Sequence, residues 1–319
     1  MPLDRRHFIT LTAAAAVSPR LALASGVLDV VATTGMIADT ARRIGGEHVA
    51  VRALMGPGVD PHAYRQTRSD IAAMARADLV LWHGLYLEAQ MEDFLKKLNP
   101  RRVSIPVADK MPRELLISHA DYEGRFDPHV WMVPKLWKHV AREITNALSQ
   151  ERQQYADDFK ANLAALETEL DQLQSYGEAV LASVPESSRV LLTAHDAFGY
   201  FGRAFGFEVI GIQGISTESE AGLNRISSLV DLLVERKIGA AFVESSVSDR
   251  NIRALIEGAA AQGHTVSIGG ELFSDAMGPN GTYEATYIGM IDHNITTIAR
   301  ALGGTVPERG MGGKLSVGS

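Results

Sequence analysis

The tripeptide Asp-Pro-His occurs twice in the first half of the chain, in VDPHAY at 59–64 and in FDPHVW at 126–131. Proline fixes its own φ and drives the residue before it toward extended geometry, so Pro61 and Pro128 stiffen the loops that carry His62 and His129. A third histidine, His195 in LLTAHDAFGYF, ends an apolar run in the second half, and Asp275 in LFSDAMG follows the last such run. Three neutral imidazoles and one carboxylate form a nitrogen and oxygen donor set suited to a first-row transition metal, with no soft sulfur. Four protein ligands nearly close such a site, which suits holding an ion rather than activating water on it. Each residue alone has an ordinary reading as a hydrogen-bonded histidine or a loop aspartate. Their joint placement points to the metal.

Neighbouring residues have graded roles in this reading. Asp60 and Asp127 are loop formers, helix caps, or carboxylates that orient the adjacent imidazole. Glu244 in AFVESSVSDR ends a strand, and is either a group near the site or a solvated loop carboxylate. His83 in LVLWHGLYLE reads first as a capping or packing histidine and second as an accessory to the site. His48, His139, His264 and His293 read as structural, and His119 with Asp121 and Glu123 as a solvated polar loop.

The elements that must position these groups follow from the hydrophobic pattern. Short β-rich runs alternate with helical patterns, the signature of βα units on parallel sheets. Strands are predicted at 27–33, 49–55, 77–83 and 101–107, then at 189–195, 207–213, 239–245 and 264–270. Ligands of such sheets bind beyond the carboxyl ends of the strands, which is where both Asp-Pro-His loops, His195 and Asp275 are expected. From Gln153 to Ser183 there is no proline and only Gly177, while Tyr155, Phe159, Leu163, Leu166, Leu170 and Leu173 recur at helical spacing. One long amphipathic helix, about 45 Å at 1.5 Å per residue, is predicted to brace both halves. Its pattern is too short for a convincing coiled coil, so a monomer is expected. The resulting division is 25–150 for an N-terminal lobe, 151–184 for the linking helix and 185–319 for a C-terminal lobe. The Gly-rich tail PERGMGGKLSVGS is expected to be mobile.

The first 24 residues read as a signal peptide: Arg5-Arg6, an apolar stretch from Phe8 to Val17, then Ala22-Leu23-Ala24 as an A-x-A cleavage site. The paired arginines before His7 and Phe8 resemble a twin-arginine signal, which exports folded proteins. Loss of Arg5, Arg6, Arg20 and Asp4 with it takes the formal net charge from −7 to −9. An acidic chain of pI about 5.8 is a poor nucleic-acid binder and a reasonable host for a cation. Zero cysteines exclude a disulfide framework and thiolate ligands. A free periplasmic protein is the expectation. With 319 residues, 46% of them hydrophobic, two cores are affordable in size.

Taken together, VDPHAYRQTRSD, FDPHVWM, TAHDAFGYF, VESSVSDR and LFSDAMGPNGTYEATYIGMIDHNITTI resemble the metal-specific (cluster A-I) solute-binding proteins of zinc and manganese ABC transporters. The likeness runs from about 27 to 303. It implies two α/β lobes joined by a rigid helix, one transported Zn2+ or Mn2+ between them, and delivery to a membrane permease with its cytoplasmic ATPase. Matched motif to motif, the implied ligands are His62, His129, His195 and Asp275. Many zinc-dedicated members carry a long His-rich loop before the second histidine, whereas LISHADYEGRFDPH is short; many manganese-dedicated members place Glu where His195 stands. Three imidazoles favour zinc, and a bidentate Asp275 makes manganese workable. The rival reading is a secreted metal-dependent hydrolase, with Glu244 as its one candidate base and no HExxH motif to support it. An adhesive surface protein fits the composition but leaves the four convergent groups without a purpose.

Overall fold

The computed structural model describes residues 26–98, 103–119 and 124–316. The expected signal segment, Asp121, Glu123 and the last three residues of the tail lie outside them. The first half builds β1 (Leu28–Ala32), α1 (Gly35–Gly45), β2 (Val49–Ala53), α2 (Arg68–Arg76), β3 (Leu79–Trp82), α3 (Glu92–Leu98), β4 (Val103–Pro106) and α4 (Pro134–Glu151). Its four strands are parallel in the order β2-β1-β3-β4. The sequence Leu-Val-Leu-Trp of β3 is buried at every position, as a central strand covered on both faces requires.

Helix α5 (Ala156–Leu181) joins this half to β5 (Val190–Thr193), α6 (Gly199–Phe205), β6 (Glu208–Gly211), α7 (Leu223–Arg236), β7 (Ala240–Glu244), α8 (Arg250–Ala261), β8 (Ser267–Leu272) and α9 (Tyr287–Ala301). Here β5 pairs with β6 and β7 with β8, all parallel, and β5 lies alongside β7. The eight predicted strands are all present, most trimmed at the ends and the last moved toward the C-terminus. The predicted long helix begins three residues late, because Gln153–Tyr155 forms a 3-10 turn after α4 ends at Glu151.

Helix α5 packs on α1 and α4 from the first half and on α9 and α6 from the second. One continuous apolar cluster therefore runs through the middle, with Trp137 and Leu148 of α4, Phe159 and Leu170 of α5, Phe201 of α6 and Ile295 of α9. Two further clusters fill the outer faces, around Met74, Trp82 and Leu95 on one side and Leu229, Leu233 and Leu255 on the other. The tail departs from expectation. Met311 N–H donates to Asp292 Oδ1 at 2.9 Å, Ser316 N–H to Glu284 Oε1 at 2.7 Å, and Leu315 is buried. Buried carboxylates of the second half thus supply acceptors for a glycine-rich backbone, a tertiary fact that composition does not carry. Among the described residues no helix is long and apolar enough to cross a membrane.

Candidate metal centre

The two Asp-Pro-His loops are built by the same local device. Asp60 Oδ1 accepts the N–H of His62 at 2.8 Å, and Asp127 Oδ1 accepts the N–H of His129 at 2.8 Å. An aspartate bonding the backbone two residues on, with proline between, fixes the loop in one conformation. After His62 the chain is pinned by the capping box of α2, in which Asp70 accepts from Thr67 N–H at 2.8 Å and from the Tyr64 hydroxyl at 2.7 Å. The loop of His62 follows β2 as expected. His129 does not directly follow a strand: β4 ends at Pro106, and His129 opens the turn Val130–Met132 ahead of α4. His195 lies two residues after β5 and Asp275 three after β8.

The structure brings these four residues together in one buried group whose ligand atoms lie within 4.8 Å of one another. His62 Nε2 is 3.3 Å from His129 Nε2 and 4.0 Å from Asp275 Oδ1. His129 Nε2 lies 3.5 Å from Asp275 Oδ1, and His195 Nε2 lies 3.2 Å from Asp275 Oδ2. Tetrahedral ligands at the usual ~2.0–2.1 Å from zinc stand about 3.3 Å apart, close to the shorter of these separations. His195 Nε2 and Asp275 Oδ1 are buried and have no hydrogen-bond partner. Facing each other as ion pairs without well-formed hydrogen bonds, these buried atoms are poorly satisfied, and a cation at their common point would serve them better.

Carboxylates behind the rings fix which nitrogen faces the centre. Asp127 Oδ1 contacts His129 Nδ1 at 2.7 Å, and Glu244 Oε2 contacts His195 Nδ1 at 2.5 Å while its Oε1 accepts the His195 N–H at 2.9 Å. Glu244 is therefore neither a solvated loop carboxylate nor a free general base; it is buried and committed to His195. His83 Nε2 contacts the Pro128 carbonyl at 2.7 Å, so this histidine braces the second Asp-Pro-His loop from behind and stays outside the cluster. Elsewhere, His48 contacts Asp158, His264 the Ile238 carbonyl and His293 the Glu271 carbonyl, as structural histidines do.

Burial pushes the His62 ring down to about 3, with Asp275 opposing and the other imidazoles assisting. Burial also acts against a charged His129, but Asp127 and Asp275 outweigh it and raise that ring to about 9. His195 is raised well above its ordinary value, where Glu244 and Asp275 overcome burial. Asp275, which burial alone would raise, is held well below the usual carboxylate range by His195 and His129. Without an ion the group is thus a set of internal ion pairs, which a divalent cation replaces proton for charge.

Several contributors are not marked individually in the sequence. Trp131 Nε1 donates to the Ser274 carbonyl at 2.8 Å, tying the His129 loop to the Asp275 loop, and the Tyr287 hydroxyl donates to the Trp131 carbonyl at 2.8 Å. Ser246 Oγ lies 3.4 Å from Asp275 Oδ2. Gly289 lets α9 approach the turn at Tyr283, since a Cβ there would stand 1.9 Å from the Tyr283 carbonyl oxygen. Trp131, Tyr287 and Ser246 all lie inside the motifs quoted above, which was the available clue.

A parallel-stranded α/β chain with three histidines and an aspartate gathered between its halves has the form of a receptor for a metal ion. The sequence profile of the periplasmic zinc-uptake complex component A (ZnuA) family matches residues 30–301. The chain is 50% identical over 276 residues to the manganese-binding lipoprotein MntA of Bacillus subtilis (strain 168), covering 86% of this chain and 90% of that one. It is 44% identical over 281 residues to the zinc-binding protein TroA of Treponema pallidum (strain Nichols), covering 88% and 91%. The solved structure of the periplasmic zinc-binding protein TroA from Treponema pallidum superposes with a TM-score of 0.85 at 44% identity, covering 87% of this chain and 99% of that one. This chain belongs to the ZnuA family of metal-binding solute-binding proteins, which serve ABC transporters.

Proposed function

We propose that this protein captures one divalent transition-metal ion with His62, His129, His195 and Asp275 and delivers it to a membrane ABC permease coupled to a cytoplasmic ATPase. The observation that carries the reading is the convergence of four buried donor atoms within 4.8 Å, two of them with no hydrogen-bond partner. The lobes are 25–150 and 185–319, with 151–184 as the linking helix, and the exported chain acts as a monomer in the periplasm after cleavage near Ala24. Helix α5 and the apolar cluster around it resist hinge bending, so small-angle scattering should show little closure on loading. A non-catalytic role is supported by the engagement of Glu244 with His195, which leaves the hydrolase reading without its base.

Zinc is the favoured cargo, because three imidazoles suit a borderline ion and manganese(II) stands lowest in the divalent affinity order. Manganese is the second reading, favoured by one observation. Asp275 turns Oδ1 toward His62 and His129 and Oδ2 toward His195, so both oxygens face the group and a higher coordination number is within reach. The test is competition titration of chelator-stripped mature protein with each ion against a chromophoric chelator, alongside the double variant His62→Ala/His195→Ala. One-to-one binding lost in the double variant supports the reading. Unchanged binding in that variant overturns it.

A further inference from the structure

Residues 214–221 of the C-terminal half run beside His62 of the metal centre, with Ile215, Ser216, Glu218 and Ser219 facing Tyr86 and Phe126 of the N-terminal half across a shared cavity. The cavity, of about 110 Å3, is also lined by His62 and Arg125. The segment is held largely to itself and its own lobe. Asp196 N–H donates to the Gly214 carbonyl at 3.2 Å, and Gln213 Nε2 donates to the Ser219 carbonyl at 3.3 Å. Toward the N-terminal half, the described residues show two side-chain hydrogen bonds from it. The Thr217 hydroxyl donates to Asp60 Oδ2 at 2.5 Å, and Gln90 donates to Glu218 on the exposed rim.

Asp60 is therefore shared. Its Oδ1 holds the N–H of His62 and its Oδ2 holds Thr217, so one carboxylate connects this segment to a group of the metal centre. His62 is also the imidazole with the weakest independent support. Asp127 stands behind His129 and Glu244 behind His195, whereas no carboxylate contacts His62 Nδ1 among the described residues. Beneath the site, by contrast, the halves are joined by buried bonds such as Trp131 to Ser274 and by the continuous core along α5. Motion that opens the site by bending the whole molecule must break that core. Lifting residues 214–221 off the N-terminal half breaks, among the side-chain hydrogen bonds of the described residues, the two named above.

We propose that residues 214–221 are a latch beside the metal centre, closed by the Thr217–Asp60 hydrogen bond, and that opening it frees His62 and sets the rate at which the ion leaves. Thr217 and Asp60 are positioning residues in this scheme, acting through His62. The inference rests on the proposed ligand set, so its test must fail separately from that reading.

The test is stopped-flow release of zinc from the loaded full-length mature protein into excess chelator. Thr217→Val removes the hydroxyl at constant shape and should speed release about tenfold, the scale of one lost hydrogen bond to a charged acceptor. Thr217→Ser keeps the hydroxyl and should release within twofold of the wild type. Asp60→Asn should also release faster, and the Thr217→Val/Asp60→Asn double variant should be no faster than the quicker single, because both remove the same bond. Wild-type release by Thr217→Val, or equal acceleration by Thr217→Ser and Thr217→Val, overturns the latch. Retention of zinc by His62→Ala/His195→Ala overturns the ligand set instead, and thermal denaturation of the metal-free variants separates either outcome from misfolding.

Discussion

The two Asp-Pro-His loops are chemically identical over three residues and behave differently. Both use the aspartate to hold the histidine N–H at 2.8 Å, so the backbone turn is the same. Beyond the turn they diverge. Asp127 spends the same oxygen again on the ring of His129, the Pro128 carbonyl is gripped by His83, and Trp131 ties the loop to Ser274. Asp60 turns its second oxygen away from the His62 ring to Thr217. The consequence is electrostatic: His129 is raised to about 9 and His62 lowered to about 3. A tripeptide encodes how a ligand is presented, and its tertiary partners decide what charge that ligand carries and how firmly it is held.

That contrast is most exposed by removing each ring in turn. A four-ligand zinc site contributes ~10–16 kcal/mol, so losing any one ligand should weaken zinc binding by about a hundredfold to a thousandfold. His62→Ala and His129→Ala should therefore look alike in competition titration. They should part in metal-free stability. His129→Ala leaves Asp127 buried without its cation and Asp275 with His195 alone, and should lose about 3 kcal/mol, whereas His62→Ala removes a neutral ring and should lose clearly less. Equal destabilisation in thermal or urea denaturation would mean that the two loops are not electrostatically distinct.

The brace behind the second loop gives a pH signature. Glu88 accepts from the His83 N–H at 2.7 Å, from Gly84 N–H at 3.2 Å and from the Thr33 hydroxyl at 2.6 Å, yet burial outweighs these bonds and raises it to about 7 from 4.5. The folded protein therefore keeps this proton between pH 4.5 and about 7, where the unfolded chain has already released it. Stability conferred by the protonated group should accordingly fall as pH rises through that window, by about 3 kcal/mol at most, and then level off. Glu88→Gln should flatten this part of the profile. A difference curve between the two proteins that is level from pH 4 to 8 would sink the assignment, whatever the slopes from other groups.

At the next scale down are the carboxylates behind the rings. Partners of metal-bound histidines typically carry about ten- to a hundredfold in affinity, so Asp127→Asn and Glu244→Gln should each weaken equilibrium zinc binding by that factor. Asp60→Asn should cost less than tenfold at equilibrium, because Asp60 touches the backbone and not the ring of its histidine. A larger loss from Asp60 than from Asp127 would reverse the comparison of the two loops.

How much of this is legible in the sequence alone depends on the range of the interaction. The strands, the long helix and the four convergent groups are written locally, in hydrophobic period, in prolines and in donor-bearing residues at strand ends. Glu244 was visible as a strand-end carboxylate, but its partner lies 49 residues away, and only the parallel placement of β5 beside β7 joins them. Thr217 had no local mark at all, since its partner is 157 residues distant. The tail was misread for the same reason: a glycine-rich segment looks mobile until Asp292 and Glu284 are placed beneath it.

The smallest expected effect concerns the aspartate that the two loops share as a neighbour. Ser246 Oγ contacts Ser274 Oγ at 3.0 Å and Asp275 Oδ2 at 3.4 Å, and the longer contact competes weakly with an ion for that oxygen. Removing the hydroxyl frees Oδ2 to bind alongside Oδ1. An ion that accepts a fifth ligand gains from this, and one content with four does not. Ser246→Ala should therefore raise manganese affinity by about two- to threefold, the low end for a single hydrogen bond, while leaving zinc affinity unchanged. The ratio of the two affinities, measured by competition in one buffer, reads the effect free of errors in protein concentration. A ratio that stays constant would mean that Asp275 presents the same number of oxygens to both metals, and that the choice between them is made by the three imidazoles alone.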